Sequence, residues 1–155
     1  MSEKYYTQME AARKGIITEE MRAVARKEYR TEEEIRELVA KGQVAICANK
    51  RHKCLDPNGV GSMLRTKINV NLGVSKDCKD YEVEMEKVMA AVNMGAEAIM
   101  DLSSHGNTQP FRRKLTQECP AMIGTVPVYD SVIHYKRDLA TLTAKDFIDV
   151  VRLHA

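Results

Sequence analysis

The chain has few of the features that would direct it to a membrane, a nucleic acid or an oxidising compartment. Its longest apolar runs fall far short of the roughly 20 residues that a membrane-spanning helix needs. The opening Met1-Ser2-Glu3-Lys4-Tyr5-Tyr6 has no apolar stretch of the kind a secretory signal carries. Trp is absent, Phe occurs only twice and the net charge is only +2. No basic stripe with interleaved aromatics exists, so neither nucleic acid nor an acidic membrane surface is an expected partner. None of the four cysteines, Cys47, Cys54, Cys78 and Cys119, lies in a Cys-x-x-Cys pair. Without a secretory signal, free thiols and a cytoplasmic location are expected. Cys47, His52 and Cys54 could be imagined as half of a zinc site, but a structural site needs four ligands at recognisable spacing. The plainer expectation is that Cys47 is a buried strand residue and that His52 and Cys54 sit in a loop.

At 155 residues the chain is long enough for one domain with a real core. Three apolar runs share one plan: Lys67-Ile68-Asn69-Val70-Asn71-Leu72-Gly73, Ala98-Ile99-Met100-Asp101-Leu102-Ser103 and Ile123-Gly124-Thr125-Val126-Pro127-Val128-Tyr129. Each reads as a strand that ends in polar or turn residues. Asn71, Met100 and Tyr129 fall at equal intervals, with helical patterns after each run. Strand–helix repetition at this pitch predicts an α/β fold built from βα units around a parallel sheet. In such folds chemistry sits at the C-terminal ends of the strands.

The N-terminal third reads as charged helices. Thr7 with Glu10 and Thr31 with Glu34 have capping-box spacing, and Thr18 caps a helix that opens with Glu19 and Glu20. Val44-Ala45-Ile46-Cys47-Ala48 reads as a strand, and Asp56-Pro57-Asn58-Gly59 as a turn prolonged by Gly61-Ser62. These patterns predict an N-terminal helical region with one strand over 1–62 and βα units over 63–155. Beyond the first run, Tyr81, Met85, Val88, Met89 and Val92 form one apolar helix face, better suited to a core than to a cofactor. Pro110 suits the first turn of a short helix over Phe111–Gln117, and Thr143 with Asp146 caps a last helix that is still amphipathic at Ala155. Three parallel strands leave two bare edges and cannot close a barrel, which needs about eight. The pattern fits either a small open α/β domain or the front of a larger one, and the uncapped last helix favours the larger.

Asn69 and Asn71 lie at i and i+2 and share a strand face. Asparagine is depleted in strands, so a pair of them points to a polar ligand rather than to structure alone. Asp101 and Ser103 share a face opposite Met100 and Leu102. The loop Ser103-Ser104-His105-Gly106-Asn107-Thr108 precedes a helix, where a phosphate could be held, although such loops are also ordinary turns. His105 alone reads as a surface histidine. Tyr129 could stack on a flat heterocycle or fill the core, and Pro127 marks an irregular strand end.

These motifs, together with Thr7-Gln8-Met9, Ala12-Arg13-Lys14-Gly15-Ile16-Ile17-Thr18 and Ala48-Asn49, resemble the ThiC family of phosphomethylpyrimidine synthases from about Tyr6 to Ala155. The resemblance implies an N-terminal region followed by the first three βα units of a (β/α)8 barrel. It implies a radical S-adenosylmethionine lyase of thiamine biosynthesis that rearranges 5-aminoimidazole ribotide into hydroxymethylpyrimidine phosphate. It implies a 4Fe-4S cluster, S-adenosylmethionine and zinc as cofactors, and a homodimer. By motif, the family's substrate contacts fall on Asn71, Met100 and Tyr129. The family's cluster cysteines, metal histidines, a further histidine contact and its Ser-Arg-Gly phosphate loop have no counterparts up to Ala155, so these 155 residues alone are expected to be inactive. Locally, Asn49-Lys50-Arg51-His52 and Cys47-Ala48 depart from the family pattern. The related hydroxybenzimidazole synthase branch, which uses the same ribotide, a non-catalytic ribotide-binding module and a truncated product without function are the alternative readings.

Overall fold

The computed structural model describes residues 5–155. They form two compact units, each with its own apolar core. The first unit runs to Ala48 and includes Asp56–Lys67; the second holds Asn49–Leu55 and Ile68–Ala155.

The first unit packs helices α1 (Gln8–Arg13), α2 (Glu19–Glu28) and α3 (Glu32–Ala40) with strands β1 (Val44–Ile46) and β2 (Gly59–Gly61). Thr18 and Thr31 cap α2 and α3 through their hydroxyls, and Glu34 completes a capping box with Thr31. At α1 the box is only half formed. The Thr7 hydroxyl accepts from the Glu10 amide, but the Glu10 carboxylate reaches past the cap to the Tyr6 amide at 2.9 Å. Ala11, Met21, Val24, Ile35, Val39 and Val44 form the core. The Glu28 and Lys67 side chains pair in near-complete burial, and the Arg65 amide donates to Glu28 at 2.8 Å. Burial alone would raise the Glu28 carboxyl, but the Lys67 and Arg65 contacts outweigh it and hold the carboxyl below its usual range.

Two expectations are corrected here. The region has two strands rather than one: β1 and β2 pair antiparallel, with Ala45 opposite Val60. The Gly-Val-Gly of β2 reads as loop from sequence because its glycines disguise a short edge strand. Cys47 is exposed and lies just past the end of β1, so it is not a buried strand residue. The strand stops at Ile46 because β2 offers Gly59 as the last pairing partner.

The second unit is a parallel sheet in chain order, β3 (Asn69–Leu72), β4 (Ala98–Asp101) and β5 (Met122–Thr125). Helices α4 (Tyr81–Asn93) and α5 (Gln109–Glu118) follow β3 and β4. Asp80 caps α4, accepting from the Glu82 amide at 2.9 Å. Val70, Leu72, Ile99 and Ile123 join Met85, Val88, Phe111 and Leu115 in one core, so α4 and α5 cover that face of the sheet. Tyr81 stacks on Phe111, with ring centroids 5.8 Å apart. Pro110 sits in the first turn of α5, as its missing N–H suits.

The third run departs from expectation. Only Met122–Thr125 is strand, and Pro127–Tyr135 forms helix α6, with Tyr129 in its first turn. Proline at a helix start loses no hydrogen bond, and its fixed φ suits the helix. The Val126-Pro127-Val128 run therefore opens a helix despite its β-branched residues. A short 3-10 turn, Leu139–Thr141, leads to α7 (Ala144–His154), which Thr143 and Asp146 cap reciprocally. Among the described residues, no helix is long and apolar enough to cross a membrane.

The loops beyond β3 and β4 are sewn together at the C-terminal edge of the sheet. The Leu102 amide donates to the Leu72 carbonyl at 2.7 Å, the Ser104 amide to the Val74 carbonyl at 3.0 Å, and the Val74 amide to the Ser103 hydroxyl at 3.1 Å. Gly73 makes this approach feasible: at φ +142, a Cβ there would stand 2.5 Å from the Ser103 nitrogen and 2.9 Å from the Leu102 carbonyl carbon. These are backbone atoms that cannot swing aside. Gly73→Ala is therefore expected to cost at least about 2 kcal/mol, which urea denaturation followed by circular dichroism would measure. A loss below about 0.5 kcal/mol, the usual range for an unconstrained surface change, would contradict the described loop contact.

Candidate functional site

Strand alternation divides the sheet into a face covered by α4 and α5 and an opposite face that is exposed at β3 and buried at Met122 of β5. Asn69 and Asn71 of β3, Ala98 and Met100 of β4, and Met122 and Gly124 of β5 fall on the face opposite the α4–α5 core. Asn71, Met100 and Gly124 are register partners and form one row across the three strands. Asn69 and Asn71 are exposed, and the Asn69 amide donates to the Asn71 side-chain oxygen at 2.9 Å. That bond orients the Asn71 amide and leaves its own N–H groups available to a ligand.

The thioether of Met100 lies over Gly124. A Cβ at Gly124 would meet Met100 Cε at 2.6 Å and Sδ at 2.8 Å. Sequence reasoning missed Gly124, because a glycine in a strand signals a close approach without saying what approaches. The row presents an amide, a soft thioether and a bare backbone: a flat, mixed polar and apolar surface suited to a planar heterocycle.

Of the three residues singled out from sequence, the structure brings Asn71 and Met100 side by side. Tyr129 is not a strand residue. It stands on α6 and is half exposed.

The start of α5, α6 and the end of α7 converge on a buried ionic cluster that sequence reasoning did not find. Asp130, the neighbour of Tyr129, accepts from the Thr108 hydroxyl at 2.7 Å and from His154 Nε2 at 3.1 Å, and pairs with Arg112 Nη1 at 3.1 Å. Arg112 Nη1 also donates to Thr108 Oγ1. These side chains come from the start of α5, from α6 and from the end of α7. Burial would raise the Asp130 carboxyl, but the His154 and Thr108 hydrogen bonds and the Arg112 charge outweigh it and hold it at about 2. Asp101, at the end of β4, differs. Burial pushes it up, and the Ser103 hydroxyl and amide bonds with the Arg112 and His154 charges only partly offset this. Arg112 Nη2 and His154 Nδ1 are buried with no hydrogen-bond partner.

An open cleft of about 570 Å³ lies beyond the C-terminal ends of β4 and β5. Ser104 through Gln109 line one side, α6 residues including Asp130, Ile133 and His134 the other. His105 is half-buried at its edge rather than a plain surface residue. Much of the loop's polar capacity is committed: Ser103 to Asp101 and Val74, the Asn107 carbonyl to the Tyr81 hydroxyl, and Thr108 to Asp130.

Cys54 and Cys119 are neighbours, and Cys78 stands elsewhere. His52 Nε2 lies 2.6 Å from the Cys119 carbonyl, and the Cys54 thiol donates to the same carbonyl at 3.2 Å. Burial pushes the Cys119 thiol up. The Cys78 thiol donates to Glu84 at 3.2 Å. The described residues contain no group of three or more His, Cys, Asp or Glu side chains able to hold a metal ion. The four thiols therefore do not fit an iron–sulfur cluster.

Two predictions follow from this geometry. Asp130 has a folded pKa of about 2 against an ordinary 3.8. Its contribution to stability is therefore complete above pH ~4 and is lost as pH falls toward ~2. Asp101 works the other way, losing stability as pH rises through the ordinary carboxylate range. In acid unfolding monitored by circular dichroism, Asp130→Asn should flatten the limb between pH ~4 and ~2 by up to about 2 kcal/mol; an unchanged limb would contradict the cluster. Gly124→Ala meets only the flexible end of Met100, so its expected cost is below about 1.5 kcal/mol. A larger loss in thermal denaturation would mean that Met100 cannot move aside.

A family model described as the radical SAM ThiC family matches residues 7–155. A phosphomethylpyrimidine synthase from Alkaliphilus oremlandii (strain OhILAs) is 60% identical over 97% of this chain and 35% of its own length. Proteins of the same name from Clostridioides difficile (strain 630) and Clostridium botulinum (strain Hall) are 58% and 56% identical over the same shares. The chain thus spans about a third of the length of the curated relatives it matches. With a family model matched over nearly all of its residues and relatives of one name at 56–60% identity, the chain belongs to the radical SAM ThiC family.

Proposed function

We propose that these residues supply the first part of the substrate wall of a phosphomethylpyrimidine synthase, acting on 5-aminoimidazole ribotide in thiamine biosynthesis. The observation that carries the reading is the row Asn71–Met100–Gly124 on the face of a parallel sheet opposite the α4–α5 core. In this reading β3, β4 and β5 are three neighbouring strands of a (β/α)8 barrel, with that face toward its lumen. The chain-order parallel pairing and the α4–α5 cover on one face support it.

Each residue has a role matched to its chemistry. The Asn71 amide donates to a polar edge of the substrate, its orientation set by Asn69. The Met100 thioether forms a polarisable wall against the imidazole ring. Tyr129 contributes a phenol from the first turn of α6. The names of the relatives favour the pyrimidine branch over the benzimidazole one.

Radical chemistry in this family draws on S-adenosylmethionine and an iron–sulfur cluster, which supply hydrogen-abstracting power when bound. The thiols here do not fit such a cluster, so no step is assigned to them. Zinc likewise has no ligand group among the described residues. A homodimer in the cytoplasm completes the reading.

The test is turnover by the polypeptide at its naturally encoded length, reconstituted with iron, sulfide, S-adenosylmethionine and a reductant. Hydroxymethylpyrimidine phosphate is the expected product from 5-aminoimidazole ribotide; its absence from an otherwise active preparation contradicts the proposal. Asn71→Ala should raise the ribotide KM or lower kcat/KM by about 10- to 100-fold, the effect of losing one well-placed hydrogen bond of about 1–3 kcal/mol. A change of less than about twofold would remove Asn71 from the site.

A further inference from the structure

Tyr129 is the residue of the proposed site that the sheet does not hold. Its position depends on the first turn of α6, and two buried side chains fix that turn. The Ser131 hydroxyl, fully buried, donates to the Pro127 carbonyl at 2.8 Å. The Asp130 carboxylate binds three partners on other helices: Thr108 and Arg112 of the α5 start, and His154 of α7. Successive residues of a helix point about 100° apart, so anchoring Asp130 inward leaves Tyr129 outward. The exposures agree: 7% for Asp130 and 49% for Tyr129.

We infer that Asp130 is a positioning residue for the ribotide site, locking the first turn of α6 against α5 and α7 and so setting where the Tyr129 phenol stands. The inference rests on the reading of Tyr129 as a substrate contact. Asp130 suits the task because its carboxylate bridges the Arg112 guanidinium and the Thr108 hydroxyl at the start of α5 to the His154 imidazole of α7. No neutral residue of the same size could satisfy all three. Arg112 already has one unpartnered buried nitrogen. Loss of the carboxylate charge would leave the guanidinium without its counter-ion and release the turn.

A double-mutant cycle on the polypeptide at its encoded length tests this. Ribotide KM and kcat are measured for Tyr129→Ala, Asp130→Asn and the double variant, with melting temperatures alongside. Asp130→Asn is expected to raise the ribotide KM about tenfold in the parent and less than about threefold once Tyr129 is alanine, because the two act through one contact. If Tyr129→Ala leaves KM unchanged, the substrate reading of Tyr129 fails, and the inference with it. If Tyr129→Ala raises KM while Asp130→Asn does not, or raises it equally in both backgrounds, the substrate reading stands and the positioning role is overturned. A purely structural Asp130 would lower the melting temperature without this non-additivity. Should Asp130→Asn fail to fold, Thr108→Val removes one anchor and keeps the ion pairs. It is expected to raise KM by about threefold or more, again only with Tyr129 present; no change overturns the inference.

Discussion

The second unit depends on one constraint: three short strands must keep their two faces chemically distinct while in parallel register. Val70, Leu72, Ile99 and Ile123 give one face to the α4–α5 core. The alternate positions cannot then be covered by the same helices, and they carry Asn69, Asn71, Met100 and Gly124. A one-residue slip of β3 would bury an asparagine among Met85, Val88 and Leu115 and turn Val70 and Leu72 away from that core. Burying an unsatisfied amide and exposing a large aliphatic each cost on the order of kcal/mol, so packing on one face fixes the register of the other. The row Asn71–Met100–Gly124 is thus a consequence of core formation on the far side of the sheet.

The polar devices around this sheet divide their labour by depth. At its C-terminal edge, Gly73, Val74, Asp101 and Ser103 bind adjacent loops through backbone contacts and a buried carboxyl. Deeper among the helices, Asp130 joins α5, α6 and α7 through charge. The two carboxylates share Arg112 and His154 as neighbouring positive charges, yet shift in opposite directions. Asp130 is bonded directly by Thr108 and His154 and pairs with Arg112, whereas Asp101 is bonded only by Ser103. At Asp130 the hydrogen bonds from two side chains and the adjoining charges together overcome burial; at Asp101 the Ser103 bonds do not.

Much of this was legible in the sequence where local rules act alone. Alternation identified the shared face of Asn69 and Asn71 and the opposition of Met100 to Asp101. Threonine caps marked α2, α3 and α7, and the Tyr81–Val92 stripe marked α4. What was hidden depended on context. The β-branched residues around Pro127 have a strand's composition, and only the geometry of a helix start decides against it. Thr108, Arg112, Asp130 and His154 are scattered over three helices without a motif, so nothing local announces their convergence. Gly124 has meaning only once Met100 is seen above it. The Gly-Val-Gly of β2 carries turn residues, and Cys47 misses its strand because pairing ends one residue earlier.

The central claim is that the face of the β3–β4–β5 sheet opposite α4 and α5 is where the ribotide binds. It is tested most directly by a crystal structure of the protein, at its encoded length, with 5-aminoimidazole ribotide bound. The account predicts the imidazole ring against the Met100 thioether and a hydrogen bond from the Asn71 amide, with Met100 still seated over Gly124. Ribotide bound away from this face, for instance wholly within the cleft between the β4–α5 loop and α6, would contradict it.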